Sequence, residues 1–293
     1  MILGYPERLV ADHAALTAAA EEAGFTTEVV SPSRLSLMID AGGERVLVDG
    51  RERRPDVVLP RGVNRPWPMV RQILEVWQRR GVTVVPSVAA ADLCADKLAT
   101  TRALVAVGVP VLPTVGVVPG EGVTLEPWPE DGAVVTKPAR ASKSQGVHAF
   151  DGAESAQQAL REGRALVAGM VDHQVVQPLA SSSGCDFRVV VAAGRAIAVT
   201  RRVAPEGEFV TNRAGAVVTD VHDARNTQSD VVSVAEAAAV ALDLPFCGVD
   251  VIHHREQAVV LEVNAWPGLA AHIRNDQLAK SLVAVAAAMV HAR

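Results

Sequence analysis

"LEVNAWPGL", residues 261–269, carries a carboxylate, Glu262, and an amide, Asn264, two positions apart inside an apolar run. Residues i and i+2 of a β-strand point to the same face, so a strand here would put two oxygen-bearing side chains together. Polar groups taken out of water cost free energy unless something meets them. Shortly before this run, "CGVDVI" (247–252) places Asp250 in another apolar run. If the two runs pair as a hairpin, three oxygen groups converge. Carboxylates held close repel each other, and a divalent cation relieves the repulsion. Mg²⁺ takes a few protein oxygens and completes its octahedron with phosphate and water. The pattern therefore points to a metal edge that holds nucleotide phosphates. The competing reading pairs Asp250 and Glu262 with Arg or Lys, or leaves them at exposed strand positions.

The basic residues bear on that choice. Lysine is scarce: Lys97, Lys137, Lys143 and Lys280 are the four in the chain. Lys97 opens a helix in "ADKLATTRAL", and Lys137 ends the apolar run "AVVTKPA". A lysine at the end of an inner strand reaches phosphate oxygens as a point charge; as surface residues both would be unremarkable. "ARASKSQGV" (139–147) offers the hydroxyls of Ser142 and Ser144, one glycine, Gly146, and backbone N–H groups that could cradle an anion; an ordinary hairpin loop would look the same. "GCDFRVVV" puts Asp186 and Arg188 on one strand face, and "AVTRRVA" puts Arg201 and Arg202 on opposite faces. "FVTNRAG" places Asn212 and Arg213 in a loop. Arginines facing a metal–phosphate edge would neutralise a transferred phosphoryl group.

The rest of the chain supplies the scaffold. Over the first ~90 residues short apolar runs alternate with helical stretches, which implies a mostly parallel sheet with helices on its faces. "SRLSLMIDAGGERVLVDGRE" reads as a strand or hairpin turning at Gly42-Gly43. One helix is expected from about Ala89 to Val107. Beyond a proline-rich connector the pattern changes to strand pairs plus helices, an α+β arrangement, with a hairpin at Ala193-Gly194. Arg61, Asn64 and Arg65 follow the strand "VVLP" (57–60), at the carboxyl end of the expected parallel sheet, where ligands bind in open α/β folds. They and Arg274, just past the metal motif, are candidates for substrate carboxylates, with Trp67 as a pocket wall; a loop with ordinary surface charges is the alternative.

Composition narrows the class. The chain has 293 residues, a net charge of −5 and no basic tract, which argues against a general nucleic-acid binder. Cys94, Cys185 and Cys247 lack metal-ligand spacing and read as reduced thiols of a cytoplasmic protein. The opening "MILGYPERLV" does not resemble a signal peptide, and "LVAVAAAMV" is too short to span a membrane.

The order of motifs is more specific than any one of them. "DK" (96–97), "VVTKP" (134–138), "VVQPL" (175–179), "DFRVVV" (186–191), "TRRV" (200–203), "FVTN" (209–212), "CGVDVI" and "LEVNAWPGL" follow one another. This resembles the ATP-grasp superfamily of carboxylate–amine ligases, most of all the branch of ribosomal-protein glutamate ligases and related amino-acid ligases. The resemblance covers about residues 55–270. It implies an N-terminal α/β domain (1–94), a linker helix and central lid (95–176) and a C-terminal domain (177–293), with ATP between the last two. It further implies that Lys97 and Lys137 hold the α- and β-phosphates. Gln177, Pro178 and Leu179 would flank adenine, with Asp186 and the 142–146 loop also on the nucleotide. Mg²⁺, or Mn²⁺ in its place, would sit on Asp250, Glu262 and Asn264. Arg188 and Arg201 would meet the γ-phosphate and the acyl phosphate, and Asn212 would orient phosphate or substrate. The implied activity is ADP-forming amide synthesis from a small-molecule carboxylate and amine. Ligation to a protein tail and a non-catalytic nucleotide-binding partner are the alternatives, and a homo-oligomer is left open. Two departures stand out: Ala141, Ser142 and Ser144 replace a glycine-richer phosphate loop, and Pro178 and Leu179 stand where relatives often carry a ribose-binding Glu.

Overall fold

The computed structural model describes residues 1–63, 67–128, 130–141, 144–164, 173–180, 184–211, 216–221, 229–269 and 275–292. The N-terminal unit runs β1 (Ile2–Leu3), α1 (Val10–Glu22), β2 (Val29–Val30), β3 (Leu35–Asp40), β4 (Gly43–Val48), β5 (Arg51–Glu52), β6 (Val57–Pro60), α2 (Trp67–Arg79) and β7 (Thr83–Val84). Strands β2-β1-β6-β7 form a parallel sheet, as alternating strands and helices dictate. Strands β3-β4-β5 form a separate antiparallel sheet. Its tight turn is Ala41-Gly42, one residue earlier than expected, and Gly43, paired with Asp40 at the start of β4, takes a left-handed φ of +104°.

The single helix expected over 89–107 is two, α3 (Val88–Cys94) and α4 (Lys97–Ala106). Asp96 breaks them: its backbone is extended, and its carboxylate accepts the N–H groups of Leu98 and Ala99 as the cap of α4. This cap fixes Lys97 as the first helical residue.

The central unit holds β8 (Val115–Val117), β9 (Val134–Pro138), β10 (His148–Phe150), α5 (Ala153–Arg161) and β11 (Gln174–Pro178). Its antiparallel sheet has the order β10-β9-β11-β8. Val134 and Val176 pack on Ala156, Ala159 and Leu160 of α5. The other face carries Val135, Lys137 and Gln177 toward the C-terminal unit. The expected boundary at 176 falls inside β11.

The C-terminal unit comprises β12 (Cys185–Ala192), β13 (Arg195–Val203), β14 (Val217–Val221), α6 (Ser229–Ala241), β15 (Phe246–His254), β16 (Gln257–Asn264) and α7 (Asn275–His291). The antiparallel sheet β14-β13-β12-β15-β16 buries one face, with Val189, Val191, Val249, Val251 and Val263, in one apolar cluster with Val231, Ala235 and Ala238 of α6. The opposite face is divided. Val190, Ala192 and Phe246 share a cluster with Leu278 and Leu282 of α7 and Leu16 and Ala19 of α1, which ties this unit to the N-terminal one. The other end of that face is polar. Among the described residues no helix is long and apolar enough to cross a membrane, and the three cysteines are free thiols.

Candidate functional site

Two β-bulges set the polar end of the sheet. In the β15–β16 hairpin Asp250 pairs with Glu262 and Gly248 with Asn264, but Val251 pairs with Val260, so Leu261 is the extra residue. The bulge lets the consecutive residues Leu261 and Glu262 both face one cleft. In β12–β13 the register shifts between Val190 and Val191, and beyond it Asp186 pairs with Arg202 and Arg188 with Thr200. Arg188 also pairs with Asp250 across β15. Asp186, Arg188, Arg202, Asp250, Glu262 and Asn264 therefore converge on one side of the sheet.

The charges are interlocked. Arg188 forks onto Asp250, with Nη2 at 2.8 Å from Oδ2 and Nε on Oδ1. Arg202 reaches Asp250 at 2.9 Å and donates from Nε to Asp186 at 2.7 Å. Thr211 adds an O–H bond to Asp186 at 2.8 Å. Burial pushes the Asp250 carboxyl up, but Arg188 and Arg202 outweigh it and hold it below the ordinary carboxylate range. For Asp186 burial prevails over Arg202, and its carboxyl is raised. Burial would lower Arg202, yet Asp250 and Asp186 hold it above its ordinary value.

Facing this edge is a cleft between the central and C-terminal sheets, with about 870 Å³ of atom-free space, part of it open to solvent. Lys97 and Lys137 stand on its far wall. Lys97 Nζ donates to Ala141 O at 2.7 Å, anchoring the start of the 141–147 loop, and lies 3.5 Å from Glu262. Lys137 is 7% exposed. Burial first, then the neighbouring Lys97, lowers its ammonium to about 8 against the pull of Glu262 and Asp250. Ser144 lines the cleft with a φ of +54°, and Gly146, also left-handed, lies between the lining residues Gln145 and Val147. At the other end the cleft is apolar: Leu112, Ala180, Ile252 and Leu261 cluster there beside Pro178 and Leu179. Gln177 is buried, with Nε2 donating to Thr114 Oγ1 at 2.8 Å.

Several expected residues lie elsewhere. Arg201 is exposed and does not line the cleft; Arg202 takes its place. The bulge explains the exchange. A regular hairpin through Ala193-Gly194 would pair Asp186 with Arg201, and the shift at Val190/Val191 moves Arg202 onto that rung. Arg61 is 2% exposed and bonded to Asp12 and the Pro267 carbonyl, so it is not an open arm for a substrate carboxylate. Trp67 packs edge-on against Trp266 at 5.0 Å, away from the cleft. Arg188 and Asn264 are not among the residues that line the cleft. Asn64, Arg65, Ser142, Asn212 and Arg274 lie outside the described residues. Sequence reasoning missed Thr211, which bonds Asp186, and the apolar slot formed by Leu112, Ile252 and Leu261. The alternation "VDVIHH" placed Ile252 on the Asp250 face, but Leu112 arrives through a connector that pairs with β16 at Val111–Val260.

The donor set suits a hard divalent cation. Two carboxylates and an amide oxygen sit on alternate rungs of one ladder, on one face, and Mg²⁺ or Mn²⁺ favours oxygen donors. Asn264 Nδ2 is buried with no hydrogen-bond partner among the described residues. Asp250 is held by two arginines, so ligation by it requires at least one of them to let go.

A model of the RimK-like ATP-grasp domain matches residues 132–286. A probable alpha-L-glutamate ligase of Stenotrophomonas maltophilia (strain K279a) is 30% identical over 261 residues, 87% of this chain and 86% of that one. The D-cycloserine synthetase crystal structure superposes with a TM-score of 0.71 at 20% identity, covering 97% of this chain and 98% of the other. An ATP-grasp ligase solved with a phosphomimetic precursor variant, Mg and ADP gives 0.67 at 19% identity, covering 97% of each. The family match over more than half of the chain, and the shared identity along most of it, agree with the fold: the chain belongs to the RimK-like ATP-grasp family.

Proposed function

We propose that this protein is an ADP-forming ligase that joins the carboxylate of an amino acid or small peptide to an amine through an acyl phosphate. The observation that carries the reading is the facing of two edges. Asp250 and Glu262, with Arg202 and Asp186, stand opposite Lys97 and Lys137 across a cleft whose far end is apolar. Adenine fits the slot of Leu112, Ile252 and Leu261, and the triphosphate extends between the lysines and the acidic edge once the Lys97–Glu262 pair, 3.5 Å apart, opens to admit it. Lys97 and Lys137 neutralise phosphate oxygens. Asp250, Glu262 and Asn264 would hold Mg²⁺, which supplies charge neutralisation at the phosphoryl oxygens when bound.

A carboxylate is a poor acyl donor. Its oxygen attacks the γ-phosphorus, the bond to the bridging oxygen of ADP breaks, and an acyl phosphate forms. Arg188 and Arg202 are released from Asp250 to face the transferred group and stabilise its charge. The amine nitrogen then attacks the acyl carbon, the carbon–oxygen bond to phosphate breaks, and the nitrogen gives up a proton. Amide and phosphate result. The central sheet, with Ser144, Gln145 and Val147 on the cleft wall, keeps water from the acyl phosphate.

A screen of amino-acid pairs for ADP and phosphate release, with mass spectrometry of products, tests the reading. Equal amounts of ADP, phosphate and amide support it. ATP consumption with a phosphorylated product and no amide contradicts it, and amide formed only on a protein tail redirects the substrate class.

A further inference from the structure

Among the described residues, none before Lys97 lines the cleft, yet the N-terminal unit reaches the metal edge from behind. Arg61 follows β6 and is 2% exposed; Asp12 on α1 is fully buried. Arg61 Nη2 donates to Asp12 Oδ2 at 2.8 Å and to the Pro267 carbonyl at 2.6 Å. The same Asp12 oxygen accepts the backbone N–H of Leu269 at 3.0 Å. Two side chains of the N-terminal unit thus satisfy two backbone groups of a turn that directly follows β16. Buried backbone groups left without partners would cost enough to move that turn.

The turn in turn abuts the site. A Cβ built on Gly248 would meet Pro267 Cβ at 2.9 Å and Arg188 Cδ at 3.1 Å. Pro267 and the Arg188 side chain therefore share the space that glycine leaves open. Gly248 pairs with Asn264, on the same ladder as the Asp250–Glu262 pair. Asn264 Nδ2 has no hydrogen-bond partner among the described residues. With no bond on that nitrogen, the side chain is aimed by the backbone at the end of β16, which runs into the turn.

We infer that Asp12 and Arg61 are positioning residues for the metal edge, holding the 267–269 turn so that Asn264 and Arg188 keep their places. This rests on the reading of Asp250, Glu262 and Asn264 as the Mg²⁺ ligands. Partners one step behind a metal ligand change metal affinity or activity by about 10–100-fold when removed, whereas a purely structural pair changes melting temperature alone.

The test is a Mg²⁺ titration of fluorescent ATP-analogue binding in the full chain. The double variant Asp12→Leu/Arg61→Met removes both members of the ion pair together, so neither is left buried without the other. Its affinity for the analogue without Mg²⁺ stays at the wild-type value, and the Mg²⁺ concentration for half-maximal enhancement rises about 10–100-fold. Gly248→Ala leaves Asp12 and Arg61 in place and forces Pro267 and Arg188 apart, so if the double variant fails to fold it tests the turn by the rise in the half-maximal Mg²⁺ concentration alone. Wild-type Mg²⁺ dependence in a folded double variant, or in Gly248→Ala, overturns the inference. Wild-type protein that binds the analogue with no Mg²⁺ dependence overturns the metal reading instead, so the two failures are distinct.

Discussion

Replacing Lys137 by Met should stabilise the protein and abolish nucleotide binding at once. Lys137 is buried, and its ammonium is lowered from 10.5 to about 8. At about 1.4 kcal/mol per pH unit, holding the charged form at neutral pH costs roughly 3 kcal/mol. Lys137→Met keeps most of the volume and removes that cost. A gain of about 2–3 kcal/mol at pH 7 corresponds to roughly 5 °C in Tm for a chain of this size. In the unfolded chain the amine keeps its proton to about pH 10.5, in the folded chain only to about 8. Between those values the unfolded state binds more protons, so this group makes stability rise with pH. The variant lacks that rise. Buried thiols act in the opposite sense at high pH, since burial pushes Cys94 up to about 12 and Cys247 higher still. The comparison is therefore wild type against variant at each pH, by scanning calorimetry. Saturating Mg²⁺–ATP at about 100 times Kd should add about 2.7 kcal/mol to wild type and nothing to the variant. A variant that melts below wild type at pH 7, or that keeps the ATP-induced shift, refutes the assignment of Lys137 as a buried phosphate-binding charge.

Further expectations follow from the same geometry. ATP affinity should be flat below pH 8 and fall as pH rises above it, because Lys137 then loses its proton; calorimetric titrations in buffers of different ionisation heat should show proton uptake on binding at pH 9 and little at pH 7. Arg202→Ala should lower kcat by about 10²–10³-fold and destabilise the fold by about 3–5 kcal/mol, since it leaves the buried Asp186 with Thr211 alone and takes one of the two arginines from Asp250. Arg201→Ala, at an exposed position, should change kcat by less than about twofold and stability by about 0.5 kcal/mol or less. Steady-state kinetics and urea melts of the two variants separate them. Glu262→Ala should lose turnover with its fold retained, because Glu262 is partly exposed and pairs, among the described residues, with Lys97 at 3.5 Å; normal activity at limiting Mg²⁺ would contradict the metal role.

Much of this fold was readable because its signals are local. Alternation of strand and helix gave the parallel N-terminal sheet, and the order of the lysine, arginine and acidic motifs gave the rest through resemblance. Glu262 and Asn264 declared themselves by spacing within one strand. What spacing could not supply was register between strands. The site depends on bulges at Val190/Val191 and after Asp250, and a one-residue shift exchanges the faces of every residue beyond it. That is why Arg202, and not Arg201, meets Asp186. Arg61 was misread for a related reason. The carboxyl end of a parallel sheet is where ligands gather, but here Asp12 and the Pro267 carbonyl occupy the guanidinium, and both lie far from Arg61 in sequence. The split of the 89–107 helix was marked by Asp96, whose carboxylate competes for the backbone N–H groups ahead of it.

The central claim is that Asp250, Glu262 and Asn264 hold a divalent cation on a nucleotide lodged between the two sheets. A crystal structure with a non-hydrolysable ATP analogue and Mn²⁺, read at the manganese absorption edge, tests it most directly. The account predicts one anomalous peak or more between these three side chains and the phosphates, with Lys97 and Lys137 on the opposite side of the triphosphate and adenine beside Ile252. A peak away from all three side chains, or a nucleotide bound outside this cleft, would contradict it.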